Sequence, residues 1–274
     1  MIEIFISPEN LGLVWNADDW LMLRQNYRIV GNLIGSLSKY PRQNSFNGLP
    51  LCLQPEEVSL LKEKNLAKLV SCPLLSSRPP DSLFDAFEKE EKVFNEAQRE
   101  QYILKKKSDV KKSYNFIVEG KSKKRRIDSD TVDETNFVDE EVNKIQTAIS
   151  SSYLSCVSVA DPWIKDDEKL EPDWTYPNCE REKLKYNVFK DLWEKKYYIT
   201  SGTKFGGDFL CYSGDPAKFH AEFIVLCVEN QETLSAKDIV TLGRIGTSTK
   251  KTFAFATELG GSIVYQSLQW MDSK

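Results

Sequence analysis

Short alternating runs of apolar and polar residues open the chain and favour brief strands over long helices. The runs fall at Ile2–Ile6, 30–37 and 68–72. Between them, residues 17–26 and 56–65 have helical character, and Pro55 with two following glutamates suits the first turn of the second helix. Residues 1–80 therefore predict a small N-terminal α+β domain.

The middle of the chain changes from apolar patterning to blocks of like charge. Residues 82–107 resemble a charged helix with an imperfect apolar stripe. Ten basic residues between 105 and 126 meet only two acidic ones, and seven acidic residues between 128 and 141 meet no basic one. Such blocks seldom form a core. We expect residues 81–178 to be a charged helical or disordered linker, mobile from about residue 105, whose aromatic, proline-containing end lies as a strap over another surface.

Apolar periodicity returns in the last third of the chain. Helices are expected at 180–197 and from Ser235 to Leu242, where Ser235 and Asp238 suggest a capping box. Strands are expected at 197–200, 209–212, 220–228, 252–257 and 263–268, with a glycine-containing loop at 243–251. The overall class is α/β (α+β): residues 179–274 predict a C-terminal domain with a mixed sheet flanked by helices.

Composition narrows the possible functions. The chain has 274 residues and a net charge of −4, no run of 18 apolar residues, and no basic segment at its start. We therefore expect a soluble intracellular protein without a membrane span or secretory signal. Six cysteines without a C-x-x-C pair, and one histidine, argue against a zinc site. Reduced thiols and no metal or cofactor are expected.

The single histidine, His220, follows a turn at 213–216, and Tyr212 precedes that turn. If the strands on either side pair as a hairpin, both side chains lie at its mouth. Lys251 opens the next β-run, on the side of Phe253 and Phe255. A phenol, an imidazole and an ammonium at strand ends suit RNA cleavage by attack of the ribose 2′-hydroxyl on the adjacent phosphorus.

That reaction needs a base, an acid and a cation. An imidazole titrates near neutrality and suits the acid, whereas a phenol suits the base only where its surroundings favour the phenolate. Spacing alone leaves a bland alternative open, in which His220 is a packed or surface residue and Lys251 faces solvent. No clustered carboxylates that would hold Mg²⁺ are evident in the sequence.

Several longer strings carry a family resemblance. They are 204–216 (KFGGDFLCYSGDP), 219–221 (FHA), 243–252 (GRIGTSTKKT) and 267–270 (SLQW), with 41–44 (PRQN), 49–51 (LPL) and 55–57 (PEE) nearer the start. Together they closely resemble the catalytic tRNA-splicing endonuclease subunit that cuts the 3′ splice site. The resemblance covers about 30–73 and 181–270.

The resemblance implies a metal-independent RNA lyase that cuts intron-containing precursor tRNA and leaves a 2′,3′-cyclic phosphate and a 5′-hydroxyl. It assigns Tyr212 as general base, His220 as general acid and Lys251 as the stabiliser of the transition state. Arg244 and Trp270 match a pair that clamps a bulged nucleotide between guanidinium and indole. Without the resemblance, Arg244 could equally form a helix-end ion pair and Trp270 a core contact.

The implied assembly is a heterotetramer of two catalytic and two structural subunits. The late strand at 263–268 is expected to pair edge to edge with the small structural subunit, with Val264 in the interface. The basic run Lys121–Arg126 resembles a nuclear import signal, could also contact RNA, and could equally be a solvated charge run. Localisation is expected to be nuclear, or an organelle surface in some organisms.

Two alternatives stay open. The sister subunit that cuts the 5′ splice site shares the tyrosine, histidine and lysine, although the strings at 205–208 and 214–216 resemble the 3′-cutting type. The second alternative is a non-catalytic subunit of the same type of complex, which assists assembly or positions RNA. Filled positions at Tyr212, His220 and Lys251 argue against it.

Overall fold

A computed structural model describes residues 1–36, 47–73, 81–114, 116, 166–230 and 232–269. Two compact units emerge from it. One combines the described residues up to Pro73 with those from Asp166 onward, and the other contains the helix that starts at Asp81.

The N-terminal half of the first unit is a five-stranded sheet with two helices. Its elements are β1 (Ile2–Ile6), β2 (Gly12–Val14), α1 (Ala17–Asn26), β3 (Asn32–Gly35), β4 (Gly48–Leu53), α2 (Pro55–Glu63) and β5 (Ala67–Val70). The strand order is β3-β4-β2-β1-β5, with β1 and β5 parallel and the other pairs antiparallel. Asn16 caps α1, because its side-chain oxygen accepts the backbone N–H groups of Asp18 and Asp19.

A buried carboxylate joins α2 to the chain before β3. Glu57 is fully buried, and its oxygens accept backbone N–H groups from Val30, Gly31 and Gln54 at 2.8 to 3.1 Å. These donors would otherwise be buried without partners. Burial nevertheless raises the pKa of Glu57 from 4.5 to about 7.

The C-terminal half is a second five-stranded sheet between two helices. Its elements are α4 (Glu180–Glu194), β6 (Tyr198–Ser201), β7 (Phe209–Tyr212), β8 (Phe223–Cys227), α5 (Ala236–Thr249), β9 (Thr252–Leu259) and β10 (Ser262–Leu268). The strand order is β10-β9-β8-β7-β6. Only β8 and β9 are parallel, and α5 is the crossover that such a pair requires. A 3₁₀ turn at Thr203–Phe205 joins β6 to β7.

Helix α4 ties the two sheets into one core. Phe189 packs on Phe209 of the second sheet with ring centroids 5.7 Å apart. On the N-terminal side, the Trp193 indole donates to the Tyr27 carbonyl at 2.6 Å, and the Arg28 guanidinium lies 5.0 Å from the indole centroid. The buried apolar residues of both sheets accordingly form one continuous cluster.

The segment before α4 also packs on the N-terminal half, against α2 and the residue after β5. Leu170 forms an isolated bridge with Ser71, the Trp174 indole donates to the Ser59 hydroxyl, and the Tyr176 hydroxyl donates to Glu56. The described part of this segment therefore lies over another surface, as expected of a strap. These contacts, the first of them at Leu170, lie within the range 81–178 that we predicted to be linker.

The second unit contributes one long helix, α3 (Asp81–Lys112), which continues past residue 105, where we expected mobility to begin. Phe84, Val93 and Leu104 on it are exposed. Among the described residues, no helix combines the length and apolarity needed to cross a membrane.

The predicted class is confirmed, with two mixed sheets flanked by helices. Strands β2 and β4 were not predicted, because β2 is only three residues long and β4 carries Pro50. The predicted loop at 243–251 is wrong over most of its length, since α5 continues to Thr249. Gly243 and Gly246 are buried in that helix, so they serve close packing and do not end it.

The Glu57 pKa gives a stability test. A carboxyl whose pKa is 4.5 when unfolded and about 7 when folded adds stability below pH 4.5, and this contribution is lost as the pH rises toward 7. Glu57→Gln should lower the free energy of unfolding by about 1–3 kcal/mol, because glutamine has one acceptor oxygen where glutamate has two. It should also flatten the fall in the free energy of unfolding between pH 4.5 and pH 7. Urea unfolding across this range measures both effects. Exposed Glu9→Gln is the control; an unchanged slope in Glu57→Gln would contradict the account.

Candidate active site

Three neighbouring strands of the second sheet bring the predicted site residues to one end. Cys211 pairs with Phe223 in the antiparallel β7–β8 ladder, and Phe223 pairs with Thr252 in the parallel β8–β9 ladder. One step further along, Tyr212 and Lys251 flank residue 222 from either side. Neighbouring strands lie about 4.8 Å apart, so the two backbones are about 10 Å apart. Residues level with each other in adjacent strands point to the same face of the sheet.

Tyr212 ends β7 on the sheet face that packs against α5, together with Leu210 and Ile224. Its phenol is half-buried. The Thr200 hydroxyl of β6 donates to the Tyr212 hydroxyl oxygen at 3.3 Å. This hydrogen bond ties the end of β7 to β6 and orients the phenol.

His220 is exposed and lies in the connection from β7 to β8, three residues before β8 begins. The predicted hairpin is present, although the second strand starts at Phe223 and not at residue 220. The Glu222 N–H donates to the Cys211 carbonyl at 2.9 Å, so the chain after His220 is held beside β7.

Lys251 follows Lys250, the residue that caps the C-terminal end of α5. Its backbone N–H donates to the Gly246 carbonyl, and its ammonium donates to the Thr249 carbonyl at 2.9 Å. The same ammonium lies 5.2 Å from the centroid of the Phe205 ring, a cation–π distance. Lys250 makes the sharp turn out of the helix in a left-handed conformation, with φ of 56°.

A cavity of about 620 Å³ adjoins Lys251, between α5 and the ends of β9 and β10. Glu222, Gly243, Thr247, Lys250 and Gln269 are among the residues that line it. The ammonium groups of Lys250 and Lys251 beside this cavity attract a negatively charged phosphodiester, whereas the Glu222 carboxylate repels it.

Arg244, predicted to stack on a nucleotide, is exposed on α5 next to Gly243 of the cavity wall. Within the described part of the chain Arg244 forms no ion pair, and its role in stacking stays a prediction. Trp270 lies outside the described residues, one position after Gln269. No three His, Cys, Asp or Glu side chains lie together as metal ligands within the described parts of the chain.

Sequence reasoning missed two residues that contact the candidate site: one contacts Tyr212, and the other contacts the turn before His220. Thr200 lies on β6 and carries no motif of its own, and Arg24 lies on α1, 191 positions before the Asp215 carboxylate that it binds. Thr200 lies two residues after Tyr198, the register partner of Tyr212, and only the folded strands reveal that register. Nothing in the sequence indicates the second.

Two family models match this chain. Residues 183–265 match the family model of the tRNA intron endonuclease catalytic C-terminal domain, and residues 2–72 match the TSEN34-like N-terminal domain. The second sheet therefore lies in the catalytic domain of a tRNA intron endonuclease.

Individual relatives identify the kind of endonuclease subunit more closely than the domain models do. The human tRNA-splicing endonuclease subunit Sen34 is 31% identical over 94% of this chain and 95% of its own length. The probable subunit sen34 of Schizosaccharomyces pombe is 27% identical over 91% of this chain and 84% of its own, and a tRNA-splicing endonuclease of Sulfolobus acidocaldarius is 30% identical over 48% and 77%. The chain belongs to the Sen34 family of tRNA-splicing endonuclease subunits.

The packing of α5 against β9 predicts an unusual sign for one substitution. Alanine in place of glycine inside a helix usually stabilises by about 1 kcal/mol. At Gly246, a Cβ atom would lie 2.9 Å from the backbone oxygen of Lys251. Gly246→Ala should therefore destabilise by about 1–3 kcal/mol. Urea unfolding measures the change, with exposed Ser248→Ala on the same helix as the control. A more stable Gly246→Ala protein would show that the helix can move away from Lys251.

Proposed function

We propose that this endonuclease subunit cuts precursor tRNA at the 3′ splice site without a metal ion. The ribose 2′-oxygen attacks the adjacent phosphorus and the bond from phosphorus to the 5′-oxygen breaks. The products are a 2′,3′-cyclic phosphate and a 5′-hydroxyl. The arrangement that supports this proposal is that the backbone at Tyr212, the β7–β8 connection with His220 and the start of β9 at Lys251 share one end of the second sheet.

Each group has one task. As a phenolate, Tyr212 takes the 2′-hydroxyl proton, and the Thr200 hydroxyl donates a hydrogen bond that orients the phenol oxygen. Protonated His220 gives its proton to the departing 5′-oxygen, so the protons balance. The Lys251 ammonium offsets the charge that develops on the non-bridging oxygens. It stays close to the sheet end because it is held by the Thr249 carbonyl and the Phe205 ring.

The choice of the 3′ splice site rests on the strings at 205–208 and 214–216, which resemble the 3′-cutting type. Membership of the Sen34 family of tRNA-splicing endonuclease subunits is compatible with that choice. The filled positions at Tyr212, His220 and Lys251 support catalysis over a purely assembling role.

RNA is held partly by side chains outside the reacting groups. Arg244, exposed beside the cavity at Lys251, stacks on an unpaired base together with Trp270. This clamp acts on the substrate of the sister catalytic subunit.

The assembly is a heterotetramer with two structural subunits and a sister catalytic subunit. Strand β10 is the last strand of its sheet among the described elements, and Val264 on it is 45% exposed. It therefore offers an edge for the small structural subunit to pair with. The complex acts in the nucleus, directed by the basic run 121–126, which lies outside the described residues.

Loss of the acid should separate the two cuts. In the reconstituted complex, His220→Ala should slow the 3′ cut by about 10²–10⁴-fold and leave the 5′ cut intact, so that the intron accumulates still joined to the 3′ exon. Gel analysis of labelled precursor tRNA measures this. Lys218→Ala, exposed in the same loop, is the matched control and should cut normally.

Two outcomes would end the proposal. Normal intron removal by His220→Ala would remove the imidazole from the chemistry. Loss of the wild-type 3′ cut in excess EDTA would replace the metal-independent route with a metal-dependent one.

Val264→Asp should weaken binding of the small structural subunit by about tenfold or more, because a charge is introduced into a buried edge contact. Co-purification and titration of the two subunits measure it. Leu11→Asp, 44% exposed beside the first sheet, is the control. Unchanged affinity of Val264→Asp would exclude this face of β10 from the interface.

A further inference from the structure

The N-terminal domain reaches the loop that carries His220 through one ion pair. Arg24 of α1 binds Asp215 with both ends of its guanidinium: Nε donates to Oδ2 at 2.8 Å and Nη2 donates to Oδ1 at 2.6 Å. Both side chains are largely shielded, with 20% and 31% of their surface exposed. Paired parallel bonds of this kind fix orientation as well as distance.

Asp215 also organises the turn that precedes His220. Its Oδ1 atom accepts the Ala217 N–H at 2.8 Å, and its backbone carbonyl accepts the N–H groups of Lys218 and Phe219. The position of this one residue therefore determines the path of the chain from 215 to 219.

The remaining contacts leave few other supports for the turn. The Phe219 ring lies against Gly214, where a Cβ atom would come within 2.6 Å of it. On the far side of His220, Ala221 is buried and Glu222 is bonded to β7. His220 therefore lies between two anchored segments. The segment after it is bonded to β7, and the turn before it is bonded, among the described contacts, to the Arg24 guanidinium of α1.

The pair is charged near neutral pH. The guanidinium hydrogen bonds lower the pKa of Asp215 to about 2, and those same bonds raise the pKa of Arg24. The carboxylate is therefore not protonated near neutral pH, and the turn stays bound to Arg24 there.

We propose that Arg24 is a positioning residue for His220: through Asp215, the N-terminal domain holds the imidazole at the reacting phosphodiester. This inference rests on the proposed role of His220 as the general acid. It implies that the N-terminal domain completes the active site in addition to packing against α4.

The test compares two precursor tRNAs in the reconstituted complex under single-turnover conditions. One has the natural oxygen at the 5′-bridging position of the 3′ splice site, and the other has sulfur there. A thiolate leaves readily without a proton, so the sulfur substrate does not need the general acid. Variants whose only defect is at the acid should therefore recover on sulfur.

Arg24→Ala should cut the oxygen substrate about 10–100-fold more slowly, as expected for a displaced catalytic group, and should cut the sulfur substrate at close to the wild-type rate. Asp215→Asn, which keeps the side-chain size, should show the same pattern and provides the test if Arg24→Ala does not assemble.

Arg24→Lys should recover only part of the rate, because an ammonium cannot donate in parallel to both oxygens. Lys190→Ala, which breaks another ion pair between the two domains, with Glu63, should match the wild type on both substrates.

His220→Ala reads the proposed function separately. If it stays slow on sulfur, the imidazole is not the general acid and the proposed role falls. If His220→Ala recovers on sulfur but Arg24→Ala stays slow, the role of His220 stands and the positioning inference is overturned. An Arg24→Ala complex as fast as the wild type on oxygen also overturns it.

Discussion

The parallel pairing of β8 with β9, beside the antiparallel β7, is the constraint on which the site depends. An all-antiparallel meander would send the start of β9 to the opposite end of the sheet. Because α5 crosses back before β9 begins, Lys251 arrives level with Tyr212. The short connection from β7 to β8 contains His220, so all three groups share one end of the sheet.

Close packing of α5 makes that crossover accurate. Gly246 lets the helix approach the first residues of β9, and Lys250 turns the chain sharply out of the helix. The Lys251 ammonium is then limited by the Thr249 carbonyl and the Phe205 ring. A positively charged group that is already held in place loses little freedom when the charge on the phosphate develops.

Much of this could be predicted from local pattern. Strand β7 and helix α1 have the predicted bounds, because alternation and helical composition are clear there. The extent of α5 could not be predicted, since a glycine required by tertiary packing looks like a loop glycine in sequence. The Arg24–Asp215 pair was beyond reach for a different reason: only the folded chain brings those positions together.

The most direct measurement is a structure of the assembled complex with precursor tRNA that carries a 2′-deoxy nucleotide at the 3′ splice site, which binds but cannot react. We expect the Lys251 ammonium within about 3–3.5 Å of a non-bridging oxygen, the His220 imidazole facing the 5′-oxygen, and the Tyr212 phenol facing the 2′ position. A scissile phosphate bound at this sheet end with the imidazole or the phenol turned away from it would contradict the account.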